Sequence, residues 1–258
     1  MSAGTDAPAR GGGVQSVERA FQLLELLADA GGSQGLTQLA TASGLPLPTI
    51  HRLMTTLTTM GYVRRETSRR YTLGPRLVRI GEVAGRAFGS WAMPSLRRLV
   101  ELTGESANLA MLDGDAVVYV AQAPSPHTMR MFTEPGRRVM PHCTGVGKAI
   151  LAQMPSEEVR AILGRTGMPA QTPSTITSPD AMIDQLAEIR ARGYAVDEGE
   201  QEIGVRCVAM AVPGVPGLVA ISVSGPQMRV TDEHIARIVP FLSEVRADLE
   251  DMVTAAAG

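Results

Sequence analysis

Apolar residues recur at helical spacing between Val14 and Ala30, where Val17, Ala20, Phe21, Leu24 and Leu27 share one face. Ser16 is the expected N-cap, Glu18 falls in the first turn, and Gly31-Gly32 ends the segment. A short second helix is predicted from about Thr37 to Ser43, with Leu39 and Ala40 inward and Gly44 permitting a tight turn. Pro48 suits the first position of a third helix. That helix runs to about Met60, buries Ile50, Leu53, Met54 and Leu57, and stops at Gly61. Two short helices joined by a turn with glycine form a helix-turn-helix. Residues 62–66 and 69–73 follow as two short strands around Thr67-Ser68, a hairpin.

Gly74-Pro75 interrupts the chain, and Arg76 to Phe88 then reads as an amphipathic helix, with a second from about Ser90 to Thr103. Beyond Gly104 the period changes. Ala107 to Leu112 and Ala116 to Ala121 are apolar runs around Asp113-Gly114-Asp115, which predicts a hairpin. Met129 to Phe132 and Arg138 to Met140 are expected strands. Helices are predicted over Thr144 to Met154, over Ser156 to Leu163, and from the strong start signal Ser178-Pro179-Asp180 to Gly193. Val205 to Val212 and Leu218 to Val223 read as strands, and Thr231 opens a last helix to about Val253. Mixed strands and helices of this kind predict an α+β layer.

The chain has 258 residues, room for one large domain or two smaller ones. It holds no run approaching the roughly 18 apolar residues a membrane helix needs. Met1 to Gly13 is polar and Gly/Pro-rich, without the apolar stretch of a signal peptide. A flexible tail over residues 1–13 of a cytoplasmic protein is the expectation. Two cysteines exclude a disulfide scaffold and give no zinc spacing. The net charge of -2 conceals an asymmetry. Residues 1–90 hold ten Arg against six acids, whereas residues 91–258 hold fourteen basic and twenty acidic residues. A basic front on an acidic body suits a polyanionic partner.

The outward face of the third helix is Thr49, His51, Arg52, Thr55, Thr56 and Thr59, hydrogen-bonding groups that suit base edges and phosphates. A merely solvated face would look the same. The hairpin shifts the balance, because Arg64, Arg65, Arg69 and Arg70 directly follow the recognition helix, where a wing lies along the DNA backbone. With Thr37 and Gln38 of the second helix, Thr49, His51, Arg52, Thr55 and these arginines are the candidate DNA contacts.

These segments carry a resemblance. "VQSVERAFQLLELLA", "LTQLATASGLPLPTIHRLMTTLTTMGYVRR" and "RRYTLGPRLVRIG" resemble, in order and spacing, the IclR family of bacterial transcription regulators. Leu47-Pro48 departs from the Lys- or Ser-type pair that family members often carry. The resemblance implies a winged helix-turn-helix over residues 14–74, a linker helix over 75–89 that takes part in dimerisation, and an effector domain over 90–258. The implied effector domain is GAF-like, with a curved antiparallel sheet. The implied partners are a near-palindromic double-stranded operator, a small effector and a second copy, as a homodimer or tetramer. Repression is the commoner outcome in the family, though activators occur. Neither cofactor nor membrane enters the expectation.

"MPHCTGVGKAILA" runs through Gly145, Val146 and Gly147 into a helix, and small residues there let a ligand approach backbone N–H groups. A P-loop fails by position, since His142 and Ala149 stand where it needs Gly and Ser or Thr. The acidic run Asp197, Glu198, Glu200, Glu202 reads alone as a solvated loop. The resemblance instead implies that Asp197, Cys207, Ser222, Ser224, Gly145 and Val146 line the effector pocket, with Met131 in its apolar wall. Such a set suits a small carboxylate. The "GVGKA", "VDEGEQE" and "RCVA" stretches further resemble regulators of allantoin and glyoxylate metabolism, so glyoxylate, allantoate or a related ureide is the expected effector. An activator of aromatic- or other carboxylic-acid catabolism is the alternative. A cysteine enzyme using Cys143 with His142 is disfavoured, because neighbours in a strand point to opposite faces. Zinc on His142, Cys143 and Cys207 lacks a fourth ligand. A purely architectural DNA binder would not need the large acidic C-terminal region.

Overall fold

The computed structural model describes residues 14–215 and 217–257; the tail expected over 1–13 lies outside them. The chain divides into two compact units, Met1–Ala84 and Gly85–Gly258.

In the first unit α1 (Gln15–Asp29), α2 (Leu36–Ser43) and α3 (Leu47–Thr59) pack around Leu23, Leu27, Leu39, Ile50, Met54 and Leu57. Val14, not Ser16, is the N-cap of α1: its carbonyl already accepts from Val17 and Glu18, which leaves Ser16 inside the helix. Gly44 closes α2 in the left-handed conformation, φ 67°, that glycine adopts at no steric cost. Pro48 takes the second position of α3 and Pro46 the cap. The wing strands are β2 (Val63–Arg65) and β3 (Tyr71–Leu73). A two-residue strand, β1 (Ser33–Gln34), pairs antiparallel with β3 and makes the sheet three-stranded, in the order β1-β3-β2. Two residues give no periodicity, so the sequence carried no sign of it. Helix α4 (Arg76–Phe88) follows the wing and spans the division between the units.

The second unit is built on a six-stranded antiparallel sheet, ordered β6-β5-β4-β9-β8-β7. Its strands are β4 (Ser106–Asp113), β5 (Ala116–Ala123), β6 (Arg138–Val139), β7 (Ala195–Glu198), β8 (Val205–Val212) and β9 (Val219–Pro226). A short 3-10 turn leads into α5 (Met93–Thr103), which packs with α9 (Asp232–Ala257) on one sheet face. There Leu96, Leu99, Leu109, Val208, Ile221 and Leu242 are in one core. A second core contains α6 (Gly145–Leu151), α7 (Ser156–Thr166) and α8 (Pro179–Arg192) with Ala110, Ala209 and Ala220 of the sheet. Three expectations are corrected. Residues 129–132 form no strand. His142 and Cys143 lie in a 3-10 turn, Pro141–Cys143, not a strand. The acidic run is not a solvated loop: Asp197 belongs to β7, and Asp197 and Glu200 are buried. Among the described residues no helix is long and apolar enough to cross a membrane.

Candidate functional site

The candidate DNA contacts sit on α2, α3 and the wing. His51 and Thr55 are exposed on α3, whereas half-buried Thr49 and exposed Arg52 line an apolar groove that α1, α3 and the start of α4 share. The predicted outward set thus spans two sides of the helix. Thr55 Oγ1 donates to the His51 carbonyl at 2.8 Å, which leaves its lone pairs outward. Thr37 and Gln38 are exposed in the first turn of α2; Gln38 Oε1 accepts the Gly35 N–H at 3.0 Å and keeps its NH2 free.

The four wing arginines are not equivalent. Arg64 and Arg69 are exposed, and among the described residues their side chains make no hydrogen bond or ion pair. Arg65 stacks over the Tyr71 ring at 5.8 Å. Arg70 is engaged within the sheet, donating from Nε to Ser33 Oγ at 3.0 Å and from Nη2 to Ser33 O at 2.6 Å.

The second site follows from strand register. Asp197 pairs with Cys207, Cys207 with Ser224, and Ser224 with Ser106, so the four form a row on one sheet face. Two residues along, Ala195, Ala209, Ser222, Asn108 and Gln122 form the next row on that face. Helix α6 comes down on these rows. A Cβ on Gly145 would stand 2.9 Å from Cys207 Sγ, and one on Gly147 would stand 2.2 Å from the Pro141 carbonyl, so both must be glycine for this approach. Thr144 caps α6 by accepting the Gly147 N–H at 3.1 Å. Gly145 and Val146 are its first two residues, whose N–H groups precede the helical ladder. The Val146 side chain itself is in the apolar core. Met131 is reached through its backbone, since Ser106 Oγ donates to its carbonyl at 2.8 Å.

Burial governs the electrostatics. The Asp197 carboxyl is pushed up to about 7 by burial and by nearby Glu200, despite the N–H of Glu200, which it accepts at 2.7 Å. Burial pushes both thiols, Cys143 and Cys207, up to about 12, and holds His142 below the ordinary histidine range. Cys143 Sγ contacts Gln201 Oε1 at 2.9 Å, while His142 Nε2 donates to the Pro169 carbonyl at 3.2 Å. A thiol so protonated, with no base on it, is no nucleophile at neutral pH. Among the described residues no three His, Cys, Asp or Glu side chains converge to hold a metal.

Beneath the rows lies a pair that the sequence reading missed. Lys148, the chain's one lysine, is fully buried; its Nζ pairs with Glu200 and donates to the Val196 carbonyl at 2.7 Å. A lysine 52 positions ahead of its glutamate carries no sequence signal of pairing. Asn108 and Gln122 were missed as well, because a polar residue in a strand looks ordinary without its neighbours.

A winged helix-turn-helix joined to a domain with buried polar rows on a six-stranded sheet is the architecture of a DNA-binding transcription regulator with a small-molecule sensor. Residues 87–250 match the family described as bacterial transcriptional regulator IclR C-terminal, and residues 16–67 match the IclR helix-turn-helix domain. The chain belongs to the IclR family. It is 36% identical over 243 residues to the HTH-type transcriptional regulator BhcR of Paracoccus denitrificans, covering 92% of this chain and 87% of that protein. It is 38% identical to the transcriptional repressor IclR of Escherichia coli, covering 89% and 86%. The E. coli repressor AllR is 33% identical, covering 94% and 90%. Among solved structures, the IclR regulator of Alicyclobacillus acidocaldarius superposes with a TM-score of 0.82 at 29% identity, over 94% of this chain and all of that one. An IclR homologue of Microbacterium hydrocarbonoxydans, complexed with 4-hydroxybenzoate, has the same fold, with a TM-score of 0.76 at 22% identity over 93% and 99% of the two chains.

Proposed function

We propose that this regulator is a repressor released from its operator by a small carboxylate bound on the polar rows of the C-terminal sheet. The observation that carries this reading is the convergence of Cys207, Ser222 and Ser224 beneath the start of α6 on one buried patch, next to the carboxyl of Asp197. The donors suit a carboxylate, and Asp197 accepts from a hydroxyl or amide of the ligand. Glyoxylate, allantoate or a related ureide carries such a group. The homologue held with 4-hydroxybenzoate also carries a carboxylate ligand.

DNA is read by His51 and Thr55 of α3, with Thr37 and Gln38 beside them and Arg64, Arg65 and Arg69 of the wing on phosphates, while Thr49 and Arg52 face the apolar groove. Arg70 supports the wing from within. The acting species is a dimer or a dimer of dimers on a near-palindromic operator. The N-terminal unit leaves Val17, Phe21, Met60 and Ile80 about half exposed, around a groove of about 810 Å³. A second copy is the occupant such an apolar face needs. The effector shifts the equilibrium between arrangements of the paired α4 helices, and thereby the spacing of the recognition helices.

The test is a gel shift of the purified protein on its own upstream DNA, with and without small carboxylic acids, ureides and 4-hydroxybenzoate. Specific binding released by one of the small acids or ureides is the expected outcome. Release by 4-hydroxybenzoate alone would move the effector to the aromatic acids. Binding that no compound alters would overturn the effector half of the proposal.

A further inference from the structure

Ser222 and Ser224 belong to a longer hydrogen-bonded chain that crosses from β9 to β4 and β5. Asn108 of β4 is buried between them and Gln122 of β5. Its Nδ2 donates to Ser224 Oγ at 3.0 Å and to Ser222 Oγ at 3.3 Å. Its Oδ1 accepts from Gln122 Nε2 at 2.9 Å.

The chain has a direction. A carboxamide offers donors at one end and an acceptor at the other. With Gln122 donating to Oδ1, Asn108 must turn its NH2 toward the serines. Each serine oxygen then accepts from the amide and keeps its own proton to give: Ser222, hydrogen-bonded to the Cys207 side chain, meets that thiol, and Ser224 points away from the amide. If Asn108 were reversed, Oδ1 would take the serine protons, and the serines would meet a ligand with lone pairs instead. The same sheet face supplies the Cys207 thiol, protonated and therefore also a donor.

Building on the effector reading above, we propose that Asn108, held in orientation by Gln122, fixes Ser222 and Ser224 as hydrogen-bond donors and so makes the effector site select a carboxylate over the corresponding neutral amide. Gln122 is a positioning residue: it acts through Asn108 and the serines. A ligand whose end group presents only acceptors uses both hydroxyl protons. An end group that must itself donate, such as a carboxamide NH2, faces them proton to proton.

The relay is open to a test at Gln122. Gln122→Glu replaces the donor with an acceptor; Asn108 then turns its NH2 toward the new carboxylate and its Oδ1 toward the serines. Calorimetric titrations of the full-length protein with glyoxylate and glyoxylamide, and with glycolate and glycolamide, read the preference as a ratio of affinities. A hydrogen bond to a charged group sets the scale, so the acid-to-amide ratio is expected to fall by about tenfold to a hundredfold in Gln122→Glu. Gln122→Met, neutral and of similar length, is expected to lower the ratio by a smaller factor, which separates loss of the relay from added charge. An unchanged ratio in both variants would overturn the proposal.

A second reading needs no ligand. In ¹⁵N-edited spectra of the free protein, both Asn108 side-chain amide protons are expected to exchange slowly, and more rapidly in Gln122→Met. Fast exchange in the wild type would overturn the relay by itself. Slow exchange together with no binding of either acid would support the relay and overturn the choice of ligand class instead.

Discussion

The two units hold their chemistry in opposite ways. In the N-terminal unit a small apolar core, with Leu23, Leu27, Ile50 and Met54 wholly inside it, carries the fold, and His51, Arg52, Thr55, Arg64 and Arg69 stand on its surface. In the C-terminal unit the polar residues are themselves interior: Asp197, Cys207, Ser222 and Ser224 are 4%, 6%, 0% and 5% exposed. An exposed side chain can be exchanged with little effect on folding. A buried polar one is bound into the energy of the fold, because its desolvation is offset only by particular partners. Reading DNA is therefore separable from stability in this protein, whereas sensing is not.

The largest effect is expected where burial is deepest. Lys148→Met leaves Glu200 charged and unpaired in the interior, which costs about 3–5 kcal/mol of unfolding free energy. Urea denaturation measures it, and the double variant Lys148→Met with Glu200→Leu should regain most of the loss. A loss under about 1 kcal/mol would break the contrast between the units.

Asp197 comes next. Its carboxyl titrates at about 7 in the folded chain and near 4 when unfolded, so the folded state favours the protonated form. The stabilisation is complete below about pH 4 and is lost as pH rises through about 7. Around it stand the Lys148–Glu200 pair, the thiols of Cys143 and Cys207, and the Tyr119 phenol, raised by burial. Asp197→Asn keeps an oxygen for the Glu200 N–H and never ionises. It should be more stable than wild type by on the order of 2–4 kcal/mol at pH 8, and equal to it below about pH 4. Thermal melts across that range decide it, and a gain that did not depend on pH would contradict the assignment.

The smallest effect on folding belongs to the wing. Replacing Arg64 and Arg69 by alanine should leave the unfolding midpoint unchanged within about 0.5 kcal/mol. Operator binding should weaken, and the slope of log affinity against log salt should fall by about 2, one for each phosphate contact. An unchanged slope would remove these arginines from the DNA.

The same contrast decides what the sequence disclosed. Surface chemistry set on regular helices is legible, because apolar period and glycine stops bound the elements. Arg76 to Phe88 was expected as a helix and is one, and Ser178 caps α8 as its Ser-Pro-Asp signal predicts. Interior chemistry misleads a linear reading. Charges are normally solvated, so the acidic run of Asp197, Glu198, Glu200 and Glu202 reads as a loop, although Asp197 lies in β7 and Lys148 waits inside for Glu200. The cluster of Asp197, Cys207, Ser222 and Ser224 was reached through family likeness; only the strand register explains why residues so far apart share a face. Asn108 and Gln122 had no such guide. The wing was legible in outline, but Arg70 was grouped with its neighbours because its partner, Ser33, lies 37 positions earlier on a strand of two residues.

The solitary lysine has one more consequence. Because Lys148 is sealed inside, every side-chain cation on the outside is a guanidinium or an imidazole, and the folded protein offers amine-directed reagents no lysine. Unfolding of the sensor uncovers that amine. The rate at which a single lysine becomes acylated is thus a built-in clock for the opening of the domain that holds the effector.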